Sequence, residues 1–452
     1  MRILFVTAAY LPDAVGGVEL HVAGLARSMK ALGHECAVYT RTGRDDVSHL
    51  EVTQDVVDGI PVMRMGNTFE DVEALSSLYA HEGIADVFME EVKRWKPDVV
   101  HVHHLTCLST RIVDRLHEAG LPVAMTLHDF WMGCPRGQRI TADLEVCPDV
   151  VLERCLPCLQ ELWPHLLGPG ARNGVVDERA DQESLEEYHQ TIRAVLEKVD
   201  LLMTPSHFMQ EIYEAYGVAA GKIRVVENGL QKTRWPEALP TAEEKGEGSE
   251  GSLRVGYIGS VLPSKGVHLL LEAYRSLGGP AEMRIDIWGE VLPFHNDRTY
   301  DERLLKLRQG HEEAVTFHGR YESEALPEIL QNLDVVVVPS LWYEAFGLTI
   351  REAFLAGVPV VASGHGSIAE AIEEGVTGLL FPPGDALALG RCLLRLRDEP
   401  SLRVTLSGHR DQVRDESEAA QELLGLYDCV GQDDSTSDGN NASDSKRGDG
   451  AP

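Results

Sequence analysis

The chain has 452 residues, 43% of them hydrophobic and 25% charged, which suits a folded chain of two or three domains. Asp plus Glu number 72 against 41 Lys plus Arg, a formal charge of −31. That excess disfavours binding to nucleic acid and wholesale attraction to anionic lipid, and leaves only a local, peripheral membrane contact open.

The opening, MRILFVTAAYLP, reads as a first strand rather than a signal peptide, because its apolar run is short and no small-residue cleavage site follows. Val18–Leu32 reads as a helix with Val18, Val22, Leu25 and Met29 on one side. Glu35–Tyr39, Asp98–Val102, Val123–Leu127, Asp200–Thr204 and Ile223–Val226 read as further strands. Continuous Val/Ile/Leu runs separated by helices are what a parallel sheet covered on both faces requires. Residues 236–252, PEALPTAEEKGEGSEGS, carry five Glu and read as a solvated linker. The alternation then restarts with strands at Leu253–Ile258, Arg284–Trp288, Val315–His318, Val335–Pro339, Val358–Ala362 and Leu379–Phe381. Helices are expected at Val267–Ser276, Leu326–Asn332, Leu348–Leu355 and Ile368–Glu374. The expected fold class is α/β, with two Rossmann-like doubly wound domains, 1–235 and 253–400, facing one cleft. A helical segment at 401–431 and a disordered tail at 432–452 complete the reading. Open parallel sheets bind ligands at the C-terminal ends of their strands, so the cleft is the expected site. No run of about 18 apolar residues occurs, so no transmembrane segment is expected. Eight sparse cysteines fit a reducing compartment; the cytoplasm, or the inner face of its membrane, is the expected location.

The stretch PSLWYEAFGLTIREAF carries Glu344 on a loop and Glu352 inside the following helix. Free backbone N–H groups of Gly347, Leu348 and Thr349 at the helix start form an anion site between the two carboxylates. Glu352 lies about 7 Å along the helix axis at about 1.5 Å per residue. A nucleoside-diphosphate sugar presents hydroxyls, phosphates and hydroxyls in that order, and carboxylates accept hydrogen bonds from hydroxyls. Two surface Glu on an exposed helix are the plain alternative. Lys265 sits in a glycine-bounded loop between strand and helix, where its ammonium can neutralise a diphosphate. Gly16 and Gly17 permit close approach of backbone to ligand, or simply make a tight turn. Cys134, Cys147, Cys155 and Cys158 form C-x12-C-x7-C-x2-C, inside an insertion spanning about 132–190. Four thiolates suit structural zinc or an iron–sulfur cluster, with redox pairs and unrelated buried thiols as alternatives. Arg136 and Arg139 in that loop could meet an anionic acceptor or be solvated.

Several motifs together resemble the retaining glycosyltransferases of family 4, which have the GT-B fold. They are the N-terminal opening with Gly16-Gly17, PDVVHVHH, TLHDFW, RVVENGL, GYIGSVLPSKGVHLLLEAY, the Glu344–Glu352 stretch and GVTGLLFPPGD. The resemblance runs from residue 1 to about residue 400. It implies transfer of a sugar from a UDP-, GDP- or ADP-sugar to a glycan or glycolipid acceptor, with retention, in polysaccharide or glycoconjugate biosynthesis. It implies that His128 lies near the reacting sugar, with Glu344 and Lys265, and that Phe346 joins Gly347–Thr349 and Glu352 in donor binding. The family usually has Arg five residues before the loop Lys, where this chain has Ser260; Arg320 is a weak candidate to replace it. His101, His103 and His104 read as structural or cleft-lining, and Asn228-Gly229 as the hinge-side wall. No Asp-x-Asp stands at a strand end, so catalysis is expected to need no divalent ion or other cofactor. The rival expectations are a sugar-nucleotide 2-epimerase of the same fold and a sugar-nucleotide-binding protein without turnover.

Overall fold

The computed structural model describes residues 1–167, 178–237, 252–294 and 299–430. Most of the acidic segment at 236–252 and the tail at 432–452 lie outside the described residues.

The first sheet has eight strands in the order β3-β4-β2-β1-β5-β6-β7-β8. They are β1 Arg2–Thr7, β2 Glu35–Thr42, β3 Val52–Val57, β4 Ile60–Gly66, β5 Val99–Val102, β6 Val123–Thr126, β7 Leu201–Thr204 and β8 Ile223–Val225. All neighbours are parallel except β3 and β4. That antiparallel pair is absent from the sequence reading. Its turn is Asp58-Gly59, with φ of 51° and 73°, the all-positive geometry of a tight hairpin. The helices of this half are α1 Gly17–Ala31, α2 Glu82–Trp95, α3 Arg111–Glu118, α4 Leu152–Leu162, α5 Glu178–Lys198 and α6 His207–Ala215.

The second sheet is wholly parallel, with six strands in the order β11-β10-β9-β12-β13-β14. They are β9 Leu253–Ile258, β10 Met283–Trp288, β11 Val315–Gly319, β12 Val335–Val338, β13 Val360–Ser363 and β14 Gly378–Phe381. Its helices are α7 Val267–Ser276, α8 Tyr300–Arg308, α9 Leu326–Gln331, α10 Leu348–Leu355, α11 Gly366–Ala371 and α12 Ala386–Asp398. Two more follow, α13 Pro400–Thr405 and α14 Glu416–Val430.

Burial explains the uninterrupted apolar strands. In β1, Leu4 and Val6 enter one core, and Ile3 and Phe5 enter another on the opposite face. A strand covered on both sides has no solvent face to fill with polar residues. In the second sheet Val335 and Val337 face one core, and Val336 and Val338 the other.

The chain ends by returning to the first sheet. Ala419, Ala420, Leu423 and Tyr427 of α14 are buried in the core that holds Ile3, Phe5 and Val22. Leu230 N donates to Arg414 O at 2.9 Å, and Glu416 N donates to Leu230 O at 3.1 Å. A Cβ on Gly229 would stand 2.5 Å from Asp415 O, so the Asn228-Gly229 turn is small because α14 begins against it.

Candidate active site

The switch points of the two sheets lie at β1/β5 and at β9/β12, and the loops leaving those strands carry the predicted residues. After β12 the chain turns through 339–347 before α10 starts. The turn Pro263–Lys265 docks against this loop, with Leu341 N donating to Ser264 O at 2.8 Å. Gly266 makes the docking feasible. Its φ is 73°, and a Cβ there would lie 1.9 Å from Pro339 O.

This docking brings Lys265 onto Glu344. Lys265 Nζ donates to Glu344 Oε1 at 2.7 Å, Ser340 Oγ donates to the same oxygen at 2.7 Å, and Trp342 Nε1 at 2.9 Å. The ammonium also stands 4.8 Å from the Trp342 ring centroid. Burial pushes the Glu344 carboxyl up, but the Lys265 charge and the three hydrogen bonds outweigh it and hold the group below the usual range. Glu344 is therefore an anion, with its three donors on one oxygen. Among the described residues Oε2 makes no hydrogen bond.

Glu352 contrasts with it. Among the described residues no donor meets its carboxyl, and burial pushes its pKa up to about 7, against a small downward pull from Arg234. Between the two carboxylates lies the start of α10, where Gly347 adopts φ of 75° as the cap. The N–H groups of Leu348 and Thr349 have no intrahelical acceptor, as in any first turn. Phe346 is buried in the second domain's core, with the Arg351 guanidinium 4.0 Å from its ring and bonded to its carbonyl. Ser260 is exposed on the turn after β9, and its carbonyl accepts from Tyr257 at 2.7 Å. Arg320 is exposed just past β11, the edge strand; its neighbour Tyr321 feels the charge of Glu352.

The first domain closes on this loop. A Cβ on Gly17, at the start of α1, would stand 2.8 Å from Leu348 Cδ1. Gly16 caps α1, and a Cβ there would meet Glu19 Oε2 at 2.6 Å. Ser206 Oγ donates to Ala345 O at 2.7 Å. Glu370 of α11 accepts from His207 N and Phe208 N, both at 2.9 Å, at the start of α6. The Tyr343 ring lies 4.8 Å from Phe208 and 6.3 Å from Phe130, which places His128-Asp129-Phe130 beside the Glu344 loop.

Behind His128 stands a row of buried imidazoles. His128 Nε2 and His103 Nδ1 are 2.8 Å apart, and the ligand atoms of His21, His103 and His128 all lie within 4.8 Å of one another. His101 bonds Thr126 Oγ1 at 2.8 Å and the Tyr427 hydroxyl of α14 at 2.6 Å. Burial, and then neighbouring imidazoles, hold His103 and His128 well below the ordinary value; burial alone brings His21 to about 4. His128 is thus a neutral imidazole at any physiological pH. His104 is the exception: Asp129 accepts from it at 2.9 Å and outweighs its burial, so its pKa rises.

The four insertion cysteines surround one small cavity and are free thiols. They are not among the groups of described residues whose ligand atoms all fall within 4.8 Å. Arg136 donates to Cys158 Sγ at 3.2 Å. Arg139 is buried and donates to Cys147 O at 2.9 Å, so it braces the loop instead of meeting an acceptor. α5 runs unbroken from Glu178 to Lys198, through the expected end of the insertion.

Comparison with known proteins agrees with this geometry. Residues 15–234 match the model of Glycosyltransferase Family 4, and residues 241–409 match Glycosyl transferases group 1. The chain belongs to glycosyltransferase family 4. It is 27% identical to a glycogen synthase of Mycobacterium tuberculosis over 416 residues, covering 89% of this chain and 87% of that enzyme. Sucrose-phosphate synthase from Thermosynechococcus elongatus shares the fold with a TM-score of 0.70 and 19% identity, over 95% of this chain and 98% of that one. Anabaena Alr3699/HepE in complex with UDP and glucose does so with a TM-score of 0.63 and 19% identity, over 95% and 99%. The family 4 chain is therefore a nucleotide-sugar glycosyltransferase of GT-B fold. Among the described residues no helix is long and apolar enough to cross a membrane.

The sequence reading of this glycosyltransferase passed over Ser340 and Trp342 as partners of Glu344, although both lie within four residues of it. It also missed His21, whose only signal was its place one turn into the helix after Gly17.

Proposed function

We propose that the cleft transfers a sugar from a nucleoside-diphosphate sugar to an acceptor hydroxyl with retention, in polysaccharide or glycoconjugate synthesis. The observation that carries this is the Lys265–Glu344 pair set against the start of α10. Lys265 and the N–H groups of Gly347, Leu348 and Thr349 hold the diphosphate and stabilise the leaving charge. Gly16 and Gly17 let the α1 backbone approach it. Glu352 accepts from the ribose hydroxyls, and Glu344 Oε2 from a hydroxyl of the donor sugar. His128, neutral, hydrogen-bonds the sugar at the reacting carbon. The acceptor reacts on the face from which the phosphate leaves, and the phosphate takes the hydroxyl proton. No divalent cofactor enters these steps. UDP is the nucleotide to test first, because HepE was solved with it; GDP and ADP follow. Ser260 and Arg320 contribute at most at the rim of this site.

In the same reading the four cysteines hold a structural ion, zinc or an iron–sulfur cluster, that pins the insertion. The support is their convergence on one cavity, with a guanidinium at Cys158. Metal analysis of protein purified without chelator should find an ion that Cys155→Ala and Cys158→Ala lose; metal-free wild type refutes it. The enzyme would work on the cytoplasmic side, on a glycan or glycolipid acceptor.

The deciding experiment replaces Glu344 by Gln. Transfer should fall at least a hundredfold, while the melting shift given by the nucleotide persists, because the α10 anion site is intact. Unchanged transfer sinks the assignment.

A further inference from the structure

The Glu344 loop is held by its backbone as well as by its side chains. Three of its carbonyls each accept a hydrogen bond from a side chain outside the loop. Ser340 O accepts from His365 Nε2 at 3.0 Å, Glu344 O from Ser367 Oγ at 2.5 Å and Ala345 O from Ser206 Oγ at 2.7 Å. His365 and Ser367 stand at the start of α11, in the same domain as the loop. Ser206 stands in the other domain, between β7 and α6, and is 139 residues from Ala345 along the chain.

The first domain aims this hydroxyl. Thr204, the last residue of β7, donates to Ser206 O at 3.2 Å. Ser206 then caps α6, its oxygen accepting from Met209 N at 3.3 Å. A hydroxyl has one proton to give, and Ala345 O is a carbonyl that can only accept. Ser206 is buried, so bulk water does not compete for that proton. The same helix start is docked from the side. Glu370 of α11 accepts from His207 N and Phe208 N, and the Phe208 ring meets Tyr343 of the loop.

Ala345 lies between Glu344 and Gly347, the cap of α10. Holding its carbonyl fixes the peptides that join the carboxylate to the free N–H groups of the helix. Lys265, Ser340 and Trp342 already fix the Glu344 side chain from within the second domain. The Ser206 bond adds the register of the loop against the first domain. Strands β6 and β7 pair through Thr126 and Met203, so His128 and Ser206 leave neighbouring strands on one rim.

Resting on the transferase reading above, we infer that Ser206 is a positioning residue. Its hydroxyl sets the Glu344 loop and the α10 start against His128, and so couples the contact between the domains to turnover.

The test measures nucleoside diphosphate release by the full chain from UDP-, GDP- and ADP-glucose, with thermal melts of the same samples. Ser206→Ala should lower kcat about tenfold, the worth of one hydrogen bond, and leave the donor KM within about twofold. Ser206→Gly, a residue tolerated at a helix cap, removes the same donor with less harm to α6 and should lose as much. Ser206→Thr keeps both the cap and the donor and should restore kcat. In a Glu344→Gln background, Ser206→Ala should cost less than about twofold more, because both act through one group. Wild-type kcat in the Ala or Gly variant, a loss carried by KM alone, no rescue by Thr, or equal losses in both backgrounds overturns the inference. Absence of release from all three donors by the wild type, or an unchanged Glu344→Gln enzyme, sinks the transferase reading and this inference with it. An impaired Glu344→Gln enzyme beside an unimpaired Ser206→Gly enzyme sinks the inference alone.

Discussion

Glu352 sets up a prediction whose size follows from its burial. Among the described residues the carboxyl meets no donor, and its pKa rises from 4.5 to about 7. A carboxyl whose folded pKa is raised binds its proton more tightly in the folded state. Its contribution to stability is therefore fully present below the unfolded pKa and is lost as pH rises through the folded one. The shift corresponds to about 3 kcal/mol at about 1.4 kcal/mol per unit, lost between about pH 4.5 and pH 7.5. Glu352→Gln keeps the shape and removes the titration. Relative to wild type, the variant should gain up to about 3 kcal/mol between pH 5 and pH 8. Thermal melts of both proteins across that range read the difference, and other titrating groups cancel in it. Ribose hydroxyls would add the missing donors and favour the anion. Nucleotide binding near pH 7 should therefore release up to about half a proton in wild type, because the free carboxyl is half protonated there, and none from this site in the variant, which calorimetry in buffers of different ionisation heat detects. A stability difference that stays flat from pH 5 to pH 8 refutes the argument.

Further consequences follow from the glycines. Gly266→Ala places a Cβ 1.9 Å from Pro339 O at φ of 73°, whereas Gly310 at 82° has nothing within 4 Å. The Gly310→Ala enzyme should lose only about 1–2 kcal/mol, the cost of the left-handed backbone, while Gly266→Ala should lose well beyond that and shed activity with it; equal melting points for the two variants would contradict the docking of the Lys265 turn. Gly17→Val should raise the donor KM at least fivefold by pushing on Leu348, and adding Leu348→Ala should recover most of the loss. A double variant no better than the single one would separate Gly17 from the α10 start.

The buried strands were legible because each is a run of apolar residues with both faces covered, as in Val335–Val338. The β3–β4 hairpin was not. Its strand VTQDVV is half exposed, so its pattern is that of an edge and not of a core, and only the Asp58-Gly59 pair marked the turn. At the proposed site, spacing within one stretch set Glu344 before the start of α10 and Glu352 inside it. The same stretch could not show that their protonation differs, because that depends on Lys265 arriving from 79 residues away. The histidine row was illegible for a similar reason. His103 and His128 stand 25 residues apart in the chain. They meet because Val102 pairs with Met125, so the residues just past β5 and β6 come side by side, and α1 adds His21 from above.

The departure at Ser260 acquires a physical meaning from these contacts. A diphosphate brings about two negative charges to a loop where Lys265 already answers one carboxylate, Glu344. The α10 start contributes the equivalent of about half a positive charge. With an exposed Ser260 where the family resemblance leads one to expect a second cation, a further ionised carboxylate in the same helix would oppose the donor directly. Glu352 carries much less than a full charge below pH 7 because burial holds its proton, and it needs to ionise only when ribose hydroxyls offer hydrogen bonds in exchange. A site with one cation fewer can thus admit the donor if one of its anions is held back until the nucleoside arrives. On this argument, restoring a guanidinium with Ser260→Arg should tighten UDP binding more in wild type at pH 8, where Glu352 is charged, than at pH 6. An equal gain at both pH values would show that the two groups do not share the phosphate field.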